Sequence, residues 1–167
     1  ESGIIESSAT NLFRFTDGAV HSGESNTSHI NGPVTKTGND AFTFPVGKIN
    51  KTAAINISAP TFVTDEFRAE YFWAIPHNNG YDSTLKDPTI HHVSDNEYWK
   101  LDRISGASNV SVTLNWEASR SGVVDYMPDL RVARWNGSLW KDEGNGGTTG
   151  NNAAGSVVTA AAVNTFS

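Results

Sequence analysis

The amino-acid sequence predicts an all-β fold, most simply a β-sandwich of the immunoglobulin-like or jelly-roll type. Short runs of alternating apolar and polar residues fill the chain, and clusters of Gly, Asn, Asp, Ser and Pro separate them. No long segment places apolar residues at the i, i+3, i+4 and i+7 positions of an amphipathic helix. With 167 residues, 37% of them hydrophobic, the chain can bury a core without disulfides, and it has no cysteine.

The first forty residues differ from the rest and predict a short β segment over residues 1–40, ahead of a sandwich over residues 41–167. Short apolar pieces alternate there with small polar residues, and each piece is about one short strand long. They are either the last rungs or the cap of a β-solenoid, or ordinary edge strands. The pieces are residues 3–5, 11–13, 18–20, 29–30 and 33–34.

Clearer strands follow. Residues 41–46 predict a strand that Gly47 ends, and residues 53–58 alternate between apolar and polar positions. Residues 67–75 give the strongest pattern, because every second residue from Phe67 to Ile75 is apolar. The polar stretch 76–95 after it is too long for a simple connection, which indicates a functional loop or a short irregular element.

The second half of the chain predicts strands over residues 98–104 and 110–116. Residues 130–135 and 138–141 predict a β-hairpin, since Asn136 and Gly137 suit the two positive-φ positions of a type I′ turn. Residues 144–155 are rich in glycine and asparagine and predict a loop. Residues 157–166 predict one or two last strands.

Composition also excludes several partners and predicts a location. A net charge of −6 and a pI near 5.2 disfavour nucleic acid and anionic membranes. No apolar run approaches the ~20 residues that a membrane-spanning helix needs, so membrane insertion is not expected. The abundance of Asn, Gly, Ser and Thr predicts an extracellular or cell-surface protein. The chain starts at Glu1 without a methionine, which indicates a piece of a longer precursor.

No recognisable catalytic pattern occurs, so we do not expect an enzyme. The sequence has no Gly-x-Ser-x-Gly elbow, cysteine nucleophile, phosphate loop or dinucleotide fingerprint. Paired carboxylates of a glycosidase could come from Glu70, Glu97, Asp102 or Glu117. We predict instead that Glu97 and Asp102 form a structural salt-bridge network with Arg103.

Four sequence motifs resemble one known module. They are residues 38–48 (GNDAFTFPVGK), 69–72 (AEYF), 97–103 (EYWKLDR) and 129–137 (DLRVARWNG), in this order. Together they are similar to a β-sandwich module of very large secreted and cell-surface proteins of Bacteroidetes, which are associated with type IX secretion. The resemblance implies export, a modular architecture in which solenoid-like β segments precede the module, and an adhesin-like surface role. It implies no catalytic residues and no ligand.

The hairpin is the leading candidate for ligand binding. A two-residue turn pairs Trp135 with Ser138 and Ala133 with Trp140, which places Trp135 and Trp140 on one face with Arg131 and Asp142. If the opposite face packs the core, the exposed tryptophans form a carbohydrate-binding platform, to which Tyr81 of the long loop could add. Alternatively, the tryptophans belong to the core.

The long polar loop is a candidate metal-binding segment. Oxygen atoms of Asn78, Asp82 and Asp87 could hold a calcium ion, although the loop matches no known calcium motif and a solvated polar loop is the alternative. No other cofactor is expected. His91 and His92 are adjacent, so in an extended segment they point to opposite faces and are not expected to chelate zinc.

Two functions therefore stay open at this stage. The first is a non-catalytic module for adhesion or carbohydrate binding, with a polysaccharide or cell-surface glycan as partner. The alternative is a structural spacer, solenoid cap or self-assembling filament subunit without a small ligand, whose partners are neighbouring domains or subunits. Exposed strand edges would serve such assembly.

Overall fold

The computed structural model describes residues 3–166, and almost all regular structure in this range is β. Its helices are α1 (Ala118–Ser121) and two short 3-10 helices (Pro76–Asn79 and Met127–Asp129). No helix among these residues has the length and apolar character needed to cross a bilayer. The strands are β1 (Ile4–Glu6), β2 (Phe13–Phe15), β3 (His29–Asn31), β4 (Val34–Thr37), β5 (Phe42–Phe44), β6 (Val46–Lys48), β7 (Lys51–Thr52), β8 (Ile55–Ile57), β9 (Glu66–Phe72), β10 (Tyr98–Ser105), β11 (Val112–Glu117), β12 (Ala133–Trp135), β13 (Trp140–Asp142), β14 (Gly147–Asn151) and β15 (Ala154–Val158).

These strands form three larger sheets and one hairpin, an all-β, sandwich-like arrangement. The strand orders are β1-β3-β6-β7, β10-β9-β4-β2 and β14-β15-β11-β8-β5, with β12-β13 apart. One hydrophobic core draws buried side chains from all three larger sheets, among them Val46, Phe67 and Ile55. The alternation that predicted β9 is confirmed, because Phe67, Ala69 and Tyr71 are buried in this core.

The N-terminal strands stack in parallel. β1 pairs with β3, and β3 pairs with β6, all in parallel; β2 pairs in parallel with β4. Two short strands per layer, repeated along the chain, are the arrangement of β-solenoid rungs. β4 also pairs antiparallel with β9, so β2 and β4 share a sheet with the later part of the chain. The domain division at residue 40 stays a prediction.

The predicted single strand over residues 41–46 is two strands in two different sheets. β5 pairs with β8, whereas β6 pairs with β3. Pro45 lies at the break: it has no N–H to donate, and its carbonyl accepts the backbone N–H of Ile30 at 2.8 Å. The chain therefore changes sheets at Pro45.

The other strand boundaries also differ from prediction. β9 ends at Phe72 rather than at residue 75, and Trp73 and Ile75 are exposed. A 3-10 helix begins at Pro76, so β9 cannot continue past Ile75. The proline also keeps the preceding Ile75 in an extended conformation. The glycine-rich segment 144–155, predicted as a loop, instead contains β14 and the start of β15, which form a hairpin. Glycine lets the two strands of this hairpin approach each other closely, because a Cβ on Gly155 would lie 2.1 Å from the Thr149 carbonyl oxygen.

Lys36 is a charged side chain buried among the N-terminal strands. It lies in β4 and is only 2% exposed. Its Nζ donates to the carbonyl oxygens of Thr16 (2.9 Å) and Thr37 (3.1 Å) and to Asp40 Oδ2 (3.2 Å). Three acceptors use all three ammonium protons, which is what allows a lysine charge to be buried. The charged form of Asp40 is stabilised in turn, because hydrogen bonds from the Gly18 N–H and from Lys36 lower the pKa of its carboxyl.

Candidate ligand-binding cleft

A cleft of about 760 Å³ lies beside β10, between this strand, the β11 and β15 side of the five-stranded sheet, and the β12-β13 hairpin. Its volume is in the range of small-molecule sites. The loop segments 89–96 and 121–126 complete the wall. Four of the five residues predicted for ligand binding line it: Tyr81, Arg131, Trp135 and Trp140.

The hairpin that carries the tryptophans has a different register from the predicted one. Trp135 pairs directly with Trp140, and Ala133 with Asp142. The connection has four residues rather than two. Asn136 Oδ1 accepts the backbone N–H groups of Ser138 and Leu139, both at 2.9 Å, so its side chain closes the turn. Trp135 and Trp140 still share one face, as predicted, with ring centroids 5.8 Å apart.

The two tryptophans are not an exposed platform. Trp140 is buried at 7% exposure, packed with Ile90 and Val93 of the long loop. Trp135 is half-buried, and its ring lies at 65° to that of Trp140. The expectation of two exposed tryptophans is therefore wrong for Trp140, since the loop over residues 81–93 covers it. Trp135 alone presents part of its ring to the cleft.

Tyr81 joins this aromatic group from the long loop. Its ring centroid lies 5.2 Å from that of Tyr98 and 6.1 Å from that of Trp135. The ammonium group of Lys100 lies 5.9 Å from the Tyr81 centroid, within cation–π range. Burial raises the pKa of Tyr98 to about 12, so its hydroxyl stays protonated at neutral pH. We call Tyr81, Tyr98, Trp135 and Trp140 the aromatic end of the cleft.

The predicted polar partners, Arg131 and Asp142, have different environments. Asp142 is mostly buried: its Oδ2 accepts Thr89 Oγ1 at 2.6 Å, and its Oδ1 accepts the Gly144 N–H at 2.7 Å. The bond from Thr89 ties the hairpin to the long loop, a structural use of the carboxylate. Arg131 Nη1 is 3.6 Å from Asp142 Oδ2, and its side chain is 40% exposed. Arg131 therefore lines the cleft with a partly exposed guanidinium.

Two of the three calcium candidates, Asp82 and Asp87, have other partners. Asp82 accepts Thr84 N–H (2.9 Å) and Oγ1 (2.7 Å), and these bonds lower the pKa of its carboxyl. Lys141 Nζ lies 2.8 Å from Asp87 Oδ2. This contact, together with the hydrogen bond that the Asp142 N–H donates to Asp87, lowers the pKa of the Asp87 carboxyl. The side chain of Asn78 is exposed.

Over residues 3–166, no group of three or more His, Asp and Glu side chains is close enough to hold a metal ion. His91 and His92 are both exposed and line the cleft. The calcium site stays a prediction without a grouped ligand set to support it.

A buried polar cluster near the cleft was not predicted from the sequence. Glu97 accepts hydrogen bonds from Tyr71 Oη (2.7 Å), from the Arg120 guanidinium and from Ser121 Oγ. Both side chains of the Glu97–Arg120 ion pair are 3% exposed. The Arg120 guanidinium carbon also lies 5.7 Å from the Trp99 ring centroid. Burial and the nearby Glu97 carboxylate raise the pKa of Tyr71.

The predicted network of Glu97, Asp102 and Arg103 is wrong. Asp102 pairs with Arg68 on the neighbouring strand, with Nη2 to Oδ2 at 2.7 Å. Arg103 donates to the backbone carbonyls of Ser108 (2.8 Å) and Asn164 (3.3 Å). Successive side chains of β10 point to opposite faces of the sheet, so Asp102 and Arg103 cannot share one cluster.

Comparison with known proteins adds no relative. The chain matches no known family model, no curated protein and no solved structure. The resemblance to a Bacteroidetes surface module therefore stays a prediction.

Proposed function

We propose that this protein is a non-catalytic, extracellular structural module of a bacterial secreted or surface protein, which joins a β-solenoid segment to a β-sandwich. The parallel stacking of β1 on β3 and of β2 on β4 carries this proposal. A sandwich of the immunoglobulin-like or jelly-roll type is part of the proposal. The role matches the surface setting that the sequence motifs imply.

The stacked strands leave two strand edges free at one end. β1 is the outer strand of one sheet and β2 of another, in the part of the chain that the structure describes. Ile4 and Ile5 on β1 are 41% and 47% exposed. A free edge with apolar side chains is suited to pairing with another strand. Because β1 and β2 each continue a parallel stack, the natural addition is one further rung of two parallel strands.

A chain with a duplicated rung tests this function. A copy of residues 4–28 inserted before Ile4 adds a second β1 and β2. We expect the new strands to pair with the old ones, to raise the melting temperature, and to slow amide hydrogen exchange at Ile5. A glycine- and serine-rich insertion of equal length is the control. If the duplicated rung is cleaved by protease as readily as the control and exchange at Ile5 stays fast, the proposal is wrong.

Carbohydrate binding at the aromatic end is a second candidate function. Tyr81 and Trp135, both half-buried, line the same cleft as the 40%-exposed side chain of Arg131. Aromatic faces contact the C–H groups of a sugar ring, and a guanidinium donates to its hydroxyls. This arrangement supports the adhesion hypothesis. The site is smaller than the predicted one, because Trp140 is buried beside Trp135 and does not present its ring to a ligand.

A glycan screen that follows tryptophan fluorescence tests the second function. We expect saturable binding of a polysaccharide to the intact protein and its loss in Trp135→Ala. Trp73→Ala is the matched control, because Trp73 is 39% exposed and does not line the cleft. Equal loss in both variants, or no response to any glycan with and without calcium, would count against carbohydrate binding.

A further inference from the structure

We infer that the cleft accepts an extended peptide strand, which pairs with the free edge of β10 and inserts apolar side chains between the two sheets. This inference is independent of the solenoid-joining function, because it concerns a different strand edge. The partner is a polypeptide segment in which apolar residues alternate with polar ones. Three features of the structure carry the inference: the free edge, the apolar lining and the direction of the cleft.

The first feature is the free edge itself. β10 is the outermost strand of the β10-β9-β4-β2 sheet, and its backbone pairs with β9 alone among the described residues. In an antiparallel pair, alternate residues direct their N–H and C=O groups away from the partner strand. The consecutive residues Tyr98 to Leu101 all line the cleft, and because neighbours on a strand point to opposite faces, the cleft must reach around the unpaired edge. The main-chain donors and acceptors of β10 are thus available to a strand lying in the cleft.

The second feature is the apolar lining away from the aromatic end. Leu101 on β10 faces this part of the cleft, and the opposite wall comes from Val112 and Leu114 on β11 and Val157 on β15. Leu101 and Val112 belong to the main hydrophobic core, and Val157 belongs to a smaller buried cluster with Trp116 and Val132. Protein cores are packed to crystal-like density, so a large volume bordered by core side chains of both sheets is suited to another apolar group.

The third feature is direction. At one end of β10, Tyr98 contacts Tyr81. At the other end, Arg103 and Phe67 contact Phe166, with the guanidinium carbon 5.2 Å from its ring centroid. The cleft reaches residues at both ends, Tyr81 and Phe166. It therefore extends along the strand, and its β10 wall from Tyr98 to Leu101 is about 13 Å long at ~3.3 Å per residue, a wall that an extended peptide can follow.

These features define the partner. Side chains of an inserted strand alternate between the inner wall and the outside, so every second residue should be valine, isoleucine or leucine. The residues between them face the side of β10 that carries Lys100, so they should be polar, and the one nearest Lys100 should be uncharged or negatively charged. Proline is excluded wherever the strand must donate to β10.

The test uses a synthetic peptide of about ten residues in which valine and threonine alternate, added to the full chain. We expect saturable binding and slower amide hydrogen exchange at Trp99 and Leu101. A second peptide with the same side chains carries N-methyl groups on alternate backbone nitrogens, which removes donors without removing apolar surface. It should bind at least about tenfold more weakly. β14, the free edge of the five-stranded sheet, is the internal control.

The outcomes separate the alternatives. Slower exchange in β10 together with unchanged exchange in β14 and weak binding of the N-methylated peptide supports strand insertion. Equal binding of both peptides shows apolar adhesion without strand pairing and overturns the inference. Equal slowing in β10 and β14 also overturns it, because it shows unspecific pairing at any open edge. Absence of binding up to ~1 mM overturns it as well.

Discussion

Tyr71 donates a hydrogen bond from Oη to Oε2 of Glu97 at 2.7 Å, and both side chains are buried. Tyr71 lies on β9, Glu97 precedes β10, and the Arg120 guanidinium reaches Glu97 from the short helix α1 after β11. The cluster thus links the β10-β9-β4-β2 sheet to the short helix that follows β11 of the five-stranded sheet. Its charges are paired and hydrogen-bonded, the condition for burying them.

Arg120→Met should destabilise the fold by ~3–5 kcal/mol, because it leaves the Glu97 carboxylate buried without its partner charge. Chemical denaturation measures this free energy of unfolding. Arg14→Met is the matched control: Arg14 Nη1 is 3.1 Å from Glu66 Oε1, but the Arg14 side chain is 59% exposed. An exposed pair contributes at most about 1 kcal/mol. Equal effects of the two substitutions would contradict the structural role of the buried pair.

Glu70→Gln should stabilise the protein near neutral pH. Burial raises the pKa of the Glu70 carboxyl, a shift that Lys100 and other nearby cations reduce without cancelling. The folded state therefore binds this proton more readily than the unfolded state, and ionised Glu70 costs stability above its folded pKa. As pH falls through that pKa the cost disappears. Melting temperatures against pH should show a gain for the glutamine variant that vanishes on acidification; a gain independent of pH would contradict this cause.

Gly32→Ala should weaken the N-terminal stack. Gly32 has φ of 116°, and an added Cβ would lie 2.0 Å from the Ser7 carbonyl oxygen. Backbone strain of this kind costs ~1–3 kcal/mol, and the contact adds to it. We expect faster amide exchange in β1 and β3. Gly3→Ala is the control, since no atom lies within 4 Å of its added Cβ. Unchanged exchange in Gly32→Ala would show that β1 does not stack as described.

Trp140→Ala and Trp135→Ala should separate stability from binding. Removing the buried Trp140 side chain should cost ~3–5 kcal/mol, as large-to-small core substitutions do. Trp135 is half-buried, so its substitution should cost clearly less and leave the fold intact. Thermal denaturation of both variants measures the difference. The opposite order would mean that Trp135, rather than Trp140, anchors the hairpin.

Local alternation was sufficient to predict the central strands but not where they break. β9, β10 and β11 follow from alternate apolar residues, because burial on one face imposes a period of two. The change of sheet at Pro45 was missed, since residues 41–46 alternate without interruption. The hairpin register was missed because the Asn136 side chain, rather than a tight turn, closes the loop.

The site was predicted in part. The pattern placed Trp135 and Trp140 on one face, yet it could not show that the long loop folds over Trp140, which depends on contacts distant in sequence. Arg120 carried no signal at all. It sits in a short polar stretch that is typical of an exposed turn, and only the approach of Glu97 makes it a buried residue.

The burial of Lys36 gives the N-terminal strands a chemical reporter. Its ammonium group is 2% exposed and bound to three acceptors, so an amine-acylating reagent can reach it only when β4 and its neighbours open. Lys141, at 44% side-chain exposure, reacts without any opening. The ratio of label at these two lysines, read by mass spectrometry, therefore reports how often the stacked strands come apart in solution.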